Sequence, residues 1–95
     1  MLNLDKNART VLIINDGSGT QDEVISRLSE DGYEIKVTPT CAEAMELMEK
    51  EKVDLILLDV SIVDREGVDA WEKIREVYPE LPVVTVSFSG AYRAF

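Results

Sequence analysis

The sequence predicts an α/β fold built on an open, doubly wound parallel sheet, and three observations predict it. Two near-continuous apolar runs of strand length, Val11-Leu12-Ile13-Ile14 and Leu55-Ile56-Leu57-Leu58, read as strands buried on both faces, as strands of a parallel sheet are. Helical patterns alternate with strand patterns along the chain, and that alternation calls for parallel crossovers. Each apolar run ends on acid, the first on Asn15-Asp16 and the second on Asp59. Ligands of open α/β sheets bind beyond the carboxyl ends of the strands. If the two strands are neighbours, Asp16 and Asp59 build one acidic site from two distant segments, suited to a cation.

The elements follow in order. Strand one is expected over Thr10 to Ile14, followed by a Gly17-Ser18-Gly19-Thr20 loop. Thr20 and Glu23 have the spacing of a capping box, and Val24, Ile25 and Leu28 form the apolar face of the first helix. Gly32 stands where a left-handed C-terminal cap is expected. Tyr33 to Thr38 alternates Ile35 and Val37 with polar residues, the pattern of an edge strand wet on one face. Pro39 ends it. Thr40 and Glu43 begin a second capping box, and Ala42, Ala44, Met45, Leu47 and Met48 supply the second helix with apolar surface. Strand three runs from Asp54 to Asp59. Gly67 precedes a third helix with Val68, Trp71, Ile74, Arg75 and Tyr78 at three- and four-residue steps, and Pro79 stops it. Leu81-Pro82 leads into strand four, Val83 to Val86, which ends on Ser87. The tail from Phe88 to Phe95 is too short for another helix-and-strand unit.

Ninety-five residues suffice for one domain, and a hydrophobic content of 45% is enough for a real core. No stretch approaches the roughly 18 apolar residues of a membrane span, and the start of the chain lacks the basic and apolar regions of a signal peptide. The expectation is a soluble, cytoplasmic protein. A net charge of -9 opposes direct contact with nucleic acid phosphates. The acids Glu43, Glu46, Glu49 and Glu51 read as a solvated helix face, and Asp64 and Glu66 as solvated loop acids. The single cysteine, Cys41, excludes an intrachain disulfide, and with no histidine a structural zinc site is excluded in practice. Cys41 reads as a small packed hydrophobe, and Trp71 as core or partner surface. The Gly17-Ser18-Gly19 loop lacks the lysine of a phosphate-binding P-loop and the third glycine of a dinucleotide fingerprint, which argues against a nucleotide site.

Four segments in order resemble the receiver domain of two-component response regulators. Val11-Leu12-Ile13-Ile14-Asn15-Asp16 resembles the first strand and its acidic pair, with Asn15 at the first position. Asp54-Leu55-Ile56-Leu57-Leu58-Asp59 resembles the phosphoacceptor strand. Asp59-Val60-Ser61-Ile62-Val63-Asp64-Arg65-Glu66-Gly67 resembles the segment after it, with the glycine spacing kept and Val63 at the usual proline. Leu81-Pro82-Val83-Val84-Thr85-Val86-Ser87 resembles the fourth strand and its switch hydroxyl. The resemblance covers roughly Thr10 to Gly90. It implies a flavodoxin-like sheet of order 2-1-3-4, lacking the family's last helix-strand-helix portion.

The resemblance also implies roles. Asp59 is the phosphoacceptor-equivalent residue, taking a phosphoryl group from a sensor histidine kinase or phosphotransfer protein. Asp16 and Asp59 ligate Mg²⁺, with Ser61 adding its backbone carbonyl, and Ser87 binds the phosphoryl oxygens. Oxygen donors of this kind suit Mg²⁺, and phosphoryl transfer depends mainly on positioning and charge neutralisation. Departures from the family pattern keep a second reading open. The last lysine is Lys73, in the third helix, so the lysine of the family's fifth strand has no counterpart. Asn15 removes a negative charge from the metal position, and Phe88 is expected to crowd the phosphoryl pocket. The alternative is a degenerate, phosphorylation-independent interaction or dimerisation module. A homodimer is expected through the exposed edge of strand four or an uncovered sheet face, unless these residues are a piece of a longer chain.

Overall fold

The computed structural model describes residues 9–17, 19 and 21–88. Its elements are β1 (Thr10–Ile14), α1 (Gln21–Glu30), β2 (Glu34–Thr38), α2 (Cys41–Lys50), β3 (Leu55–Asp59), α3 (Val60–Glu66), α4 (Val68–Val77) and β4 (Val83–Val86). The four strands form one parallel sheet in the order β2-β1-β3-β4, as expected. Among the described residues no helix is long and apolar enough to cross a membrane.

The sheet is central because its two middle strands carry the two apolar runs. Leu12, Ile13 and Ile14 are fully buried, as are Ile56 and Leu58. Burying such a side chain contributes about 1.5–3 kcal/mol of transfer free energy. Alternation along the strands divides the core. Leu12, Ile14, Ile56 and Leu58 pack with Ala44 and Met48 of α2, Ile62 of α3 and Ile74 of α4. Val11 and Ile13 face the opposite way, toward α1, with Phe88.

That second face is more thinly covered than the sequence pattern implies. α1 has no buried residue; its Val24, Ile25 and Leu28 are only half-buried. Leu55 and Leu57 of β3 are half-buried as well, and Val37 of β2 is exposed. The edge-strand reading of β2 is correct, but its apolar alternation does not produce a buried face.

Local signals work where the backbone needs them. Gly32 has φ +97°, its amide donates to the Ser29 carbonyl at 3.0 Å, and the Tyr33 amide donates to the Leu28 carbonyl at 3.1 Å. Those two bonds close α1 with a left-handed cap of the Schellman type. Thr40 caps α2, its Oγ1 accepting from the Glu43 amide at 3.1 Å. The expected Thr20 cap lies outside the described residues.

Two expectations need correction. The segment Val60–Glu66 is a helix, α3, and the third expected helix is therefore α4. Val68, read as part of the apolar face of that helix, is exposed, because Gly67 turns the chain before α4 reaches the core.

Candidate functional site

The site residues come together through strand register. β1 and β3 are parallel neighbours, with Ile14 level with Leu58. Asn15 extends β1 by one step, its amide donating to the Thr38 carbonyl of β2 at 2.9 Å, so continuing the register sets it level with Asp59. On the other side of β3, Asp59 is level with Val86, the last residue of β4. Asp16 and Ser87 therefore follow the ends of the two strands that flank Asp59. Asn15, Asp16, Asp59 and Ser87 all stand at the carboxyl edge of β1, β3 and β4.

Their surroundings differ. Asp59 is almost fully buried, at 2% exposure, and its Oδ1 accepts from the Ser61 amide at 3.0 Å. This makes Asp59 the N-cap of α3. Asn15 is buried, and its side-chain amide donates to Gln21 Oε1 at 2.8 Å, joining the end of β1 to the start of α1. Asp16 is exposed, and its Oδ2 accepts from Arg65 Nη1 at 3.2 Å. Ser87 is half-buried.

Ser61 reaches Asp59 through its backbone amide. Carbonyls of a helix point toward the helix C-terminus, so within α3 the Ser61 carbonyl is directed away from Asp59. Its hydroxyl oxygen is buried with no hydrogen-bond partner among the described residues.

Two residues of α3 escaped the sequence reading. Arg65 brings a cation to the site and pairs with Asp16. Glu66 is not a solvated loop acid: its Oε1 accepts from the Cys41 amide at 3.2 Å, at the first turn of α2. A carboxylate there also meets the positive end of the helix dipole. The only sequence signal for either was the opposite charge of Arg65 in a segment of acids. Cys41 packs in the core as expected, and burial, followed by the Glu66 charge and hydrogen bond, pushes its thiol up to about 12.

Phe88 packs into the core on the α1 side of the sheet. It is buried at 3% exposure against Val11 and Ile13 on the α1 face. Its carbonyl lies where a side chain on Gly19 would begin: a Cβ built there would be 1.8 Å from the Phe88 oxygen. The β1–α1 loop therefore closes directly on the backbone that follows β4, and only glycine fits the contact.

The donor chemistry fits Mg²⁺. Asp59 at the end of β3 and Asp16 just past the end of the neighbouring β1 offer hard oxygens, and the Ser61 hydroxyl, without a partner among the described residues, lies two residues from Asp59. Among the described residues no group of three or more acidic, histidine or cysteine side chains could hold a metal by itself.

Comparison with known proteins agrees with this geometry. The sequence model of the response regulator receiver domain matches residues 11–94. The transcriptional regulatory protein GlrR of Escherichia coli (strain K12) is 27% identical over 81 residues, which is 85% of this chain and 18% of that protein. The TorCAD operon transcriptional regulatory protein TorR of the same organism is 35% identical over 66 residues, 70% of this chain and 29% of that protein. The chain thus spans less than a third of these curated relatives. A response regulator from Thermotoga maritima superposes with a TM-score of 0.73 at 28% identity, covering 84% of this chain and 66% of that one. The non-phosphorylated HemR receiver domain of Leptospira biflexa gives 0.68 at 27% identity, covering 83% and 64%. With the sheet order and the sequence match over most of its length, the chain belongs to the response regulator receiver domain family, a signalling module of two-component systems rather than an enzyme.

Proposed function

We propose that this domain accepts a phosphoryl group on Asp59 from a sensor histidine kinase or phosphotransfer protein, with Mg²⁺ held by Asp16 and Asp59. The observation that carries the proposal is the buried Asp59 at the carboxyl end of β3, flanked in register by the ends of β1 and β4. A receiver domain implies a histidine kinase partner, and receiver domains typically bind Mg²⁺ and are usually cytoplasmic. We place this protein in the cytoplasm accordingly.

The chemistry divides among the residues. An Asp59 carboxylate oxygen attacks phosphorus, the bond from phosphorus to the donor histidine nitrogen breaks, and the imidazole leaves with the electron pair. Burial keeps water away from the acyl phosphate so formed. Mg²⁺ supplies charge neutralisation at the phosphoryl oxygens. Ser87 offers a hydroxyl to those oxygens from the end of β4. For Ser61 to give its carbonyl to the ion, the first turn of α3 has to open.

The test is incubation with acetyl phosphate and Mg²⁺, read by intact mass. A gain of one phosphoryl group in the native chain and none in Asp59→Asn is the expected result. No gain in the native chain, together with no Mg²⁺-dependent binding of beryllofluoride, would overturn the proposal.

The edge of β4 supports a second reading, in which the scaffold docks a second copy without phosphorylation. β4 pairs with β3 alone among the described strands, and Val84 is 46% exposed on it. An unpaired edge carrying apolar surface favours association.

A further inference from the structure

Among the described residues, Arg65 brings a cation to this site. Its Nη1 lies 3.2 Å from Asp16 Oδ2, although the two residues are 49 apart in sequence. The pair ties α3 to the segment that follows β1. At the other end of α3, the Ser61 amide binds Asp59. Both carboxylates that would hold Mg²⁺ therefore accept hydrogen bonds from α3.

We propose that Arg65 is a resident counter-ion of the metal position, holding Asp16 until a divalent cation displaces it and thereby releases α3 from β1. The inference rests on the proposed assignment of Asp16 and Asp59 to Mg²⁺. Its physical basis is competition: the Asp16 oxygen that accepts from the guanidinium must give up that hydrogen bond to coordinate a metal. The side chains of Arg65 and Asp16 are 52% and 36% exposed, so the pair is screened by solvent. Exposed ion pairs are weak, and their measured range converts to an affinity change of about 1.4- to fivefold. Loss of the Arg65 charge acts in the same direction, because it leaves the carboxylates with a stronger field for a cation.

The experiment is calorimetric titration of the 95-residue chain with Mg²⁺ at low ionic strength, where such pairs are least screened. Arg65→Met retains much of the aliphatic stem and removes the charge; Arg65→Gln is the second variant should Met disturb the fold. Either neutral variant is expected to bind Mg²⁺ about 1.4- to fivefold more tightly than the native chain, with Arg65→Lys returning toward native affinity. Asp16→Asn is expected to lose most of the binding. In nitrogen–proton correlation spectra, the Arg65 side-chain signal, assigned by its absence from Arg65→Gln, is expected to shift with the calorimetric midpoint. If the neutral variants bind no more tightly than native while Asp16→Asn loses binding, the metal assignment stands and the counter-ion role is wrong. If neither native chain nor variants bind Mg²⁺, or Asp16→Asn binds as native, the metal assignment falls and takes this inference with it.

Discussion

Cys41 and Gly19 show how much a single residue's surroundings decide. Cys41 opens α2, a place where a helix N-terminus tends to lower a thiol pKa. Burial and the nearby Glu66 carboxylate win, and the thiol rises from 9.0 to about 12. The folded thiol therefore keeps its proton in a range where the unfolded one has lost it. This contribution to stability is constant below pH 9.0 and shrinks as the pH rises toward 12. Melting curves over that interval should show the native chain losing more stability than Cys41→Ala, which has no thiol to titrate; parallel losses would refute the shift. At Gly19 the constraint is steric. Its φ is +77° and an added Cβ would strike the Phe88 carbonyl, whereas at Gly17, with φ +97°, a Cβ would meet nothing within 4 Å. Gly17→Ala should cost about 1–2 kcal/mol of left-handed strain. Gly19→Ala adds overpacking of about 1–3 kcal/mol to that strain. Urea denaturation should separate the two variants.

At the level of elements, α3 binds the site together. It begins on Asp59, reaches Asp16 through Arg65 and reaches the start of α2 through Glu66. The first turn of α2 thus has two side-chain acceptors, Thr40 for the Glu43 amide and Glu66 for the Cys41 amide. Thr40→Ala should cost about 1 kcal/mol as a lost N-cap. Glu66→Ala should cost about 0.5–1.5 kcal/mol for its hydrogen bond. Because both act on one helix end, the double variant should depart from additivity in chemical denaturation, and strict additivity would show that the two caps are independent. The Thr40 cap was legible in the sequence, since a capping box is a local pattern. So were all four strands, because apolar runs and alternation mark them directly, and so were Asp16 and Asp59, because strand-end acids follow from the runs. α3 was not. Val60–Glu66 has only Ile62 buried, too few apolar positions to show a helical period. Its role comes from long-range partners, which no local pattern encodes. The same holds for Phe88, whose position beside the switch hydroxyl says nothing of which sheet face its ring will join.

Over the whole molecule, the two faces of the sheet are covered unequally, and association should respond to that difference. Among the described residues, the core shared with α2, α3 and α4 has ten buried members and the one beside α1 has three. On the lighter face, Leu57 of β3 is level with Val84 of β4, and the first is half-buried while the second is 46% exposed. This apolar strip adjoins the edge of β4 that no described strand pairs, so edge pairing and face packing would bury the same residue. Self-association must also overcome repulsion between two chains that each carry a net charge of -9. Repulsion between such chains is screened over about 10 Å at 0.1 M salt, whereas apolar burial is not weakened by modest salt. Light scattering at micromolar concentration should therefore report a mass above the monomer that rises as salt is added. Val84→Glu places another charge on the edge and removes the apolar contact, and it should return the chain to monomer at every salt concentration tested. A native chain that is monomeric throughout would exclude self-association through β4, whereas a dimer indifferent to Val84→Glu would place the contact on another surface.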